Sequence, residues 1–240
     1  MLTLNIPGLG TIVNACAIVI GGLTGLIFGS KISRKIQETL NVSMAIAVMF
    51  LGIGGTLSHM LVVKEGTIAT QGEMMVIFSL AIGGVIGEII DIDARMEQFG
   101  NWLKVRSGNA KDTRFVADFV NASLTVCIGA MAIVGSIEDG IHANHSILFA
   151  KAVLDMVIIM VMTASAGKGC IFSAVPVGLL QGSVTILSFL IAGLITDQAM
   201  ANLSYVGNIL IFCVGLNLLF GKKVRVANLL PALVIACFFH

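Results

Sequence analysis

The sequence predicts an all-α protein: a polytopic transmembrane helix bundle of seven spans plus a short eighth. Three observations predict it. First, 57% of the 240 residues are hydrophobic and 11% are charged, with a mean hydropathy of +1.02. A soluble domain carries about 25% charge. Second, Asp, Glu, Lys and Arg are missing from 1–30, 39–63, 119–137, 169–196 and 198–221. A helix needs about 20 apolar residues to cross a bilayer core. Third, the basic residues fall in alternate connections. Lys31, Arg34, Lys35, Arg95, Lys104, Arg106, Lys111, Arg114, Lys168, Lys222, Lys223 and Arg225 occupy the odd ones, whereas the even ones hold only Lys64. By the positive-inside rule the odd connections are cytoplasmic and the N-terminus is outside.

The first span, 8–29, has no basic residue ahead of its apolar run, so it reads as a retained span and not a secretory signal. The second runs over 42–63 and the third over 74–92. The following connection contains "RMEQFGNWLKVR", in which Met96, Phe99, Trp102 and Leu103 recur at helical spacing. This predicts an amphipathic helix over about 93–106, lying along the inner membrane surface or packed under the bundle. The fourth, fifth, sixth and seventh spans are 115–137, 146–166, 170–195 and 204–221, and the short eighth is 225–239. The whole chain, 1–240, reads as one transmembrane domain.

The phrase "AIVIGGLTG" at Ala17–Gly25 returns as "LAIGGVIG" at Leu80–Gly87, an offset of 62. Asn41 and Ser43 likewise match Asn121 and Ser123 at an offset of 80, and Gly55-Thr56-Leu57 matches Gly135-Ser136-Ile137. The first four spans therefore read as a parallel duplication of a two-helix hairpin, with units 8–63 and 74–137 entering the membrane in the same direction. Small residues four apart let helix backbones approach in lipid. Gly21 and Gly25, and Gly83 and Gly87, are the expected packing ridges, through which the two equivalent helices would cross. The same ridges suit a homo-oligomer.

Taken with "GTIVNACAIVIGGLTGLIFG" at the start, "GAMAIVGSIEDG" at 129–140, "AKAVLDM" at 150–156, "FSAVPVGLLQG" at 172–182, and "GLNLL" followed by "VRVANLLPAL", the chain resembles the domain-of-unknown-function 554 family of bacterial integral membrane proteins over essentially its whole length. The resemblance implies a membrane protein for which transport is a common guess. It carries over no functional residues.

Candidate site residues are polar groups inside the spans, where a mid-bilayer charge costs about 2.5–3.5 kcal/mol even on the mildest scale. Lys151 and Asp155 are four apart and share a helix face. They read as a structural pair or as a solute or proton site. Asn14, Asn121 and Asn217 are candidate solute contacts; they and Asn41, Asn208 and Asn228 also read as interhelical hydrogen bonds. Asn41 and Asn121 also read as helix N-caps. Pro176 predicts a kink or break between Ser173 and Gly178, with Gln181 facing the interior. Glu88, Asp91 and Asp93 read as an exposed acidic helix end. Glu138, Asp139, His142 and His145 combine carboxylates with imidazoles, yet the sequence supplies no metal geometry, so no metal is assigned.

The five cysteines lie in apolar segments without paired spacing and read as core residues. No basic stripe favours nucleic acid. No catalytic or phosphate-binding motif is present, so neither an enzyme nor a cofactor is expected. The expected partners are the lipid bilayer and a small solute or ion. The leading reading is a small-solute or ion transporter or channel. A membrane scaffold or regulatory subunit is the alternative, and an intramembrane enzyme or metal sensor the third. The expected location is the inner (plasma) membrane.

Overall fold

A computed structural model describes residues 6–64, 66–128, 130–191 and 196–239. The described chain is a helical membrane-type protein, with six helices long and apolar enough to span a bilayer, or seven if one bent pair counts as a span. Four predicted spans appear as single helices close to their expected bounds: α1 (Leu9–Gly29), α3 (Glu73–Ile90), α7 (Ser146–Ser165) and α9 (Asp197–Phe220). The start of α9 precedes the predicted 204 because Thr196 caps it. The Thr196 hydroxyl accepts the Ala199 amide at 3.1 Å, and Asp197 sits in the first turn, where a negative charge offsets the helix dipole.

Elsewhere the elements depart from the expected bounds for local reasons. α2 (Arg34–Met60) starts eight residues before predicted position 42. Its polar first turns form because the Ser33 carbonyl accepts the amides of Ile36 and Gln37 at 2.9 and 3.1 Å. Asn41 and Asn121 consequently lie inside α2 and α5, not at caps. After α2 the chain forms a hairpin absent from the sequence prediction. Here β1 (Leu61–Lys64) pairs antiparallel with β2 (Thr67–Thr70), Leu61 opposite Thr70, through a turn containing Gly66 at φ 77°. A two-residue turn with a glycine at positive φ joins strands with the correct twist.

The connection expected to carry an amphipathic helix holds α4 (Ile92–Arg106), set off from α3 by Asp91 at φ 51°. Phe99 stacks on Trp102 at 5.8 Å and meets Phe119 edge-on at 5.9 Å. The stripe's apolar side is therefore partly covered by α5, while Trp102 stays exposed.

The fourth span is not one helix. α5 (Phe115–Cys127) and α6 (Ala130–His142) are bent by 62° across their break. The sixth span begins as a 3₁₀ turn, Lys168–Ser173, and continues as α8 (Ala174–Ile191). The change of helix type falls at Ser173–Ala174, at the edge of the interval predicted for a break. α8 then runs unbroken through Pro176, Gly178 and Gly182. Pro176 lies in its first turn, where the missing N–H is not needed. The eighth segment is a 3₁₀ turn, Val226–Leu229, and the six-residue α10 (Pro231–Ala236). Six residues rise about 9 Å, too little for a core about 30 Å thick.

The contacts divide the chain into two compact units that interleave in sequence. Unit 1 draws on 1–41, 99–127 and 131–194, and unit 2 on 42–98, 128–130 and 195–240. Each predicted hairpin is thus split. Unit 1 holds α1, α5, most of α6, α7 and α8. Unit 2 holds most of α2, then α3, α9 and α10.

In unit 1, α1 runs alongside α7 in the same direction. A Cβ on Gly21 or Gly25 would strike the carbonyl of Met156 or Met160, and one on Gly29 would lie 2.8 Å from the Ala164 oxygen. In unit 2, a Cβ on Gly83 would meet the Ala232 backbone and one on Gly87 that of Asn228. Each glycine ridge is therefore occupied by a partner from its own unit, and not by the equivalent ridge as the repeat suggested. In unit 2, α2 and α9 run antiparallel, with Gly52 facing Asn208 and Phe212, and Gly215 facing Met49 and Ala45.

Candidate functional site

One chain of buried polar groups in unit 1 starts at the C-terminal end of α5. A helix leaves its last four carbonyls without intrahelical partners. The Val126 carbonyl, at the end of α5, is one of them. The Lys151 ammonium on α7 donates to it at 2.8 Å, and the positive charge also complements the negative end of the α5 dipole. Lys151 in turn lies 2.8 Å from a carboxylate oxygen of Asp155, one helical turn along α7. The Asn14 amide of α1 donates to Asp155 at 3.0 Å. Lys151, Asp155 and Asn14 are all buried. A charge placed here is tolerated only because each member of the chain Val126–Lys151–Asp155–Asn14 answers the next.

Toward one end of the unit a second carboxylate is buried. Asp139 on α6 accepts the Gly10 amide, near the N-terminus of α1, at 3.1 Å, and His145 is 2.6 Å from its other oxygen. Asp139 thus supplies the cap that α1 lacks at its own Gly8. Glu138 pairs separately with His142 at 3.2 Å. The four residues read as a candidate metal cluster are divided between a cap and a surface pair. Among the described residues no group of three or more His, Cys, Asp or Glu is placed to hold a metal ion.

Unit 1 also buries polar atoms that make no hydrogen bond among the described residues. They are Thr11 Oγ1 and Asn14 Oδ1 on α1, and Gln181 Nε2 and Oε1, Thr185 Oγ1 and Ser188 Oγ on α8. Gln181, Thr185 and Ser188 recur at four and three residues and form one face of α8. An unpartnered buried polar group costs about 1–3 kcal/mol, so this face is destabilising unless a polar molecule meets it. The opposite face carries Leu179 and Ile186, which point away from the protein. Nearer the far end of the unit, Asp118 Oδ2 on α5 and Thr163 Oγ1 on α7 are also buried without a hydrogen bond among the described residues.

The comparisons agree with a membrane protein of this size. The family model described as "Protein of unknown function (DUF554)" matches residues 9–240. The chain belongs to this family. It is 30% identical over 226 residues to a Bacillus subtilis (strain 168) protein named uncharacterized membrane protein YdfK, covering 94% of this chain and 93% of that one. It is 27% identical over 232 residues to uncharacterized protein YqgA of Escherichia coli (strain K12), covering 95% and 94%. No solved structure matches.

Among the residues singled out from the DUF554-like sequence, Asn14, Lys151 and Asp155 are brought into direct contact. Asn121, Pro176 and Gln181 lie in the same unit without a hydrogen bond to that trio, Asn121 half-buried in α5 and Gln181 fully buried. Asn217 lies in unit 2 and has a different task. Its side-chain oxygen accepts the amides of Lys223 and Val224, both at 2.9 Å, and its nitrogen donates to the Val224 carbonyl at 2.7 Å. It closes the turn after α9, which occupies its oxygen twice and one of its two N–H groups. Asn228 is similarly committed, accepting the Asp93 amide at 2.8 Å and donating to Glu88 at 2.6 Å.

Glu88, Asp91 and Asp93 are not a free acidic end. Arg225 reaches Glu88 and, at 2.8 Å, Asp91, while Lys222 bonds Asp93 and Glu97. Burial alone would lower the Lys222 pKa, but its bonds to Asp93 and Glu97 outweigh it and hold the ammonium above its ordinary value. The contribution from the Lys222 ammonium is therefore complete at neutral pH and is lost as pH rises through the raised value.

Thr11, Asp118, Thr185, Ser188 and the capping role of Asp139 were missed in the sequence. Only the i, i+4, i+7 spacing of Gln181, Thr185 and Ser188 signalled a shared face.

Proposed function

We propose that the protein is a transporter or channel for a small solute or ion, and not an enzyme, in the inner (plasma) membrane with its N-terminus outside. The observation that carries this reading is the Val126–Lys151–Asp155–Asn14 chain at the broken end of α5. Broken helices and buried charges within a membrane are the usual materials of a solute site. The helix directions support the topology. α1 and α7, both odd spans, run parallel, and α2 and α9, even and odd, run antiparallel.

The internal duplication belongs to the same proposal. α1 and α3 overlay at the offset of 62, and α2 and the α5–α6 pair at 80. Each unit also takes a first helix from one hairpin, most of a second helix from the other, and a tail in which a long helix, a 3₁₀ turn and another helix follow in order. On this reading the two copies have exchanged their second helices.

Purified protein reconstituted in lipid vesicles is expected to pass at least one probe from a panel of small neutral solutes and monovalent ions faster than protein-free vesicles do. Identical permeability to every probe would favour the scaffold reading. In cells, an Arg34→Cys variant of a cysteine-free background is expected to resist impermeant thiol reagents from outside. Labelling from outside would reverse the topology.

A further inference from the structure

We infer that the polar faces of α1 and α8 bind a small, uncharged solute carrying hydroxyl or carboxamide groups. The inference rests on the transport reading and names its solute class. Five residues carry it: Thr11, Asn14, Gln181, Thr185 and Ser188. Each is at least nine-tenths buried, and each has a side-chain atom with no hydrogen-bond partner among the described residues.

The two faces come to the same end of unit 1. α8 packs against α1. Two adjacent residues of α6 touch both helices: Asp139 accepts the Gly10 amide, beside Thr11, while a Cβ on Gly140 would lie 2.7 Å from the Thr185 carbonyl oxygen and close to the Ser188 hydroxyl. From there each face continues inward by one turn, Thr11 to Asn14 on α1 and Thr185 to Gln181 on α8. Asn14 ends at the Asp155–Lys151 pair.

The chemistry of the open positions selects the class. Asn14 Oδ1 and Gln181 Oε1 accept only. Gln181 Nε2 donates only. The three hydroxyls do both. An anion would be repelled by the two amide oxygens, and a cation by the Gln181 N–H groups. The charges beside the faces do not alter this balance, because Lys151 and Asp155 neutralise each other and Asp139 is held by Gly10 and His145. A molecule that donates and accepts in equal measure, without net charge, complements all six atoms. Gln181 is itself a carboxamide, and two carboxamides pair through one N–H···O bond in each direction.

The test is flux in vesicles containing the purified protein, with urea and glycerol as neutral probes and potassium and chloride as ionic ones. Urea or glycerol is expected to cross severalfold faster than in protein-free vesicles, and potassium and chloride at the protein-free rate. Gln181→Leu and Thr185→Val should each abolish the increment, and outward-facing Leu179→Ala should leave it intact. Should a larger substitution unfold the protein, Ser188→Ala, which removes only a hydroxyl, is expected to lower the same flux. Ion flux without neutral flux would overturn the solute class and leave the transport reading standing. Neutral flux unchanged in Gln181→Leu, Thr185→Val and Ser188→Ala would overturn the site. No flux of any probe would overturn both readings.

Discussion

Replacing Asp155 by leucine is expected to cost about 3–5 kcal/mol of stability, because it leaves the Lys151 ammonium buried without its counter-charge. Lys151 cannot turn to water. It lies within the unit, held on its other side by the Val126 carbonyl. The double variant Lys151→Met, Asp155→Leu should be more stable than Asp155→Leu alone, since it buries no isolated charge. Recovery should stop short of wild type, because the double variant leaves Val126 O without its donor and the Asn14 amide without its acceptor. Thermal unfolding in detergent measures all three proteins. A double variant no more stable than the single one would show that Lys151 and Asp155 do not act as a pair.

A second large effect is expected at the glycine ridges. Leucine at Gly25 or Gly87 would force a side chain into the backbone of Met160 or Asn228. A carbonyl in a packed helix cannot swing aside as a side-chain tip does, so about 1–3 kcal/mol or more should be lost in each case. Gly178 and Gly54 supply the contrast: a Cβ at either meets nothing within 4 Å. Leucine there should change the unfolding temperature little. Equal effects at all four positions would mean that the close approaches of α1 to α7, and of α3 to the C-terminal segment, do not hold the units together.

The parts of this fold that were legible in the sequence are those set by local composition. Long, strongly apolar stretches with at most two charges mark α1, α3, α7 and α9, because apolar length largely decides whether a helix suits a bilayer. Helix starts were less legible. α2 extends into polar sequence through the Ser33 carbonyl, a backbone contact that hydropathy does not register. The sequence points to a break in the sixth span, because Pro176 is a conspicuous helix breaker, whereas the bent pair lies in the fourth. A proline in the first turn breaks nothing, and α8 starts only two residues before it. The carbonyl end at Val126, by contrast, carries no unusual side chain.

For the candidate site, the i, i+4 spacing of Lys151 and Asp155 made their shared face readable. Their further partners were not readable, since Val126 is 25 residues from Lys151 and Asn14 is 141 from Asp155. Tertiary packing alone brings these together. The repeat misled in one respect. Matching glycines in α1 and α3 suggested that the two helices pack on each other, whereas each is covered by a later segment of its own unit. Asn217 misled for a similar reason. A buried asparagine within a span looks available in sequence, but here its oxygen and nitrogen are spent on the turn that follows.

The proposed transport function requires the polar face of α8 to meet polar molecules while its opposite face meets lipid. Cysteines placed singly at 181, 185, 179 and 186 in a cysteine-free background report on this through their reaction with a small, uncharged, water-soluble thiol reagent in reconstituted membranes. Modification is expected at 181 and 185, and none at 179 and 186, where Leu179 and Ile186 point outward. Reaction at 179 and 186 with none at 181 and 185, or no reaction at any of the four, would contradict it.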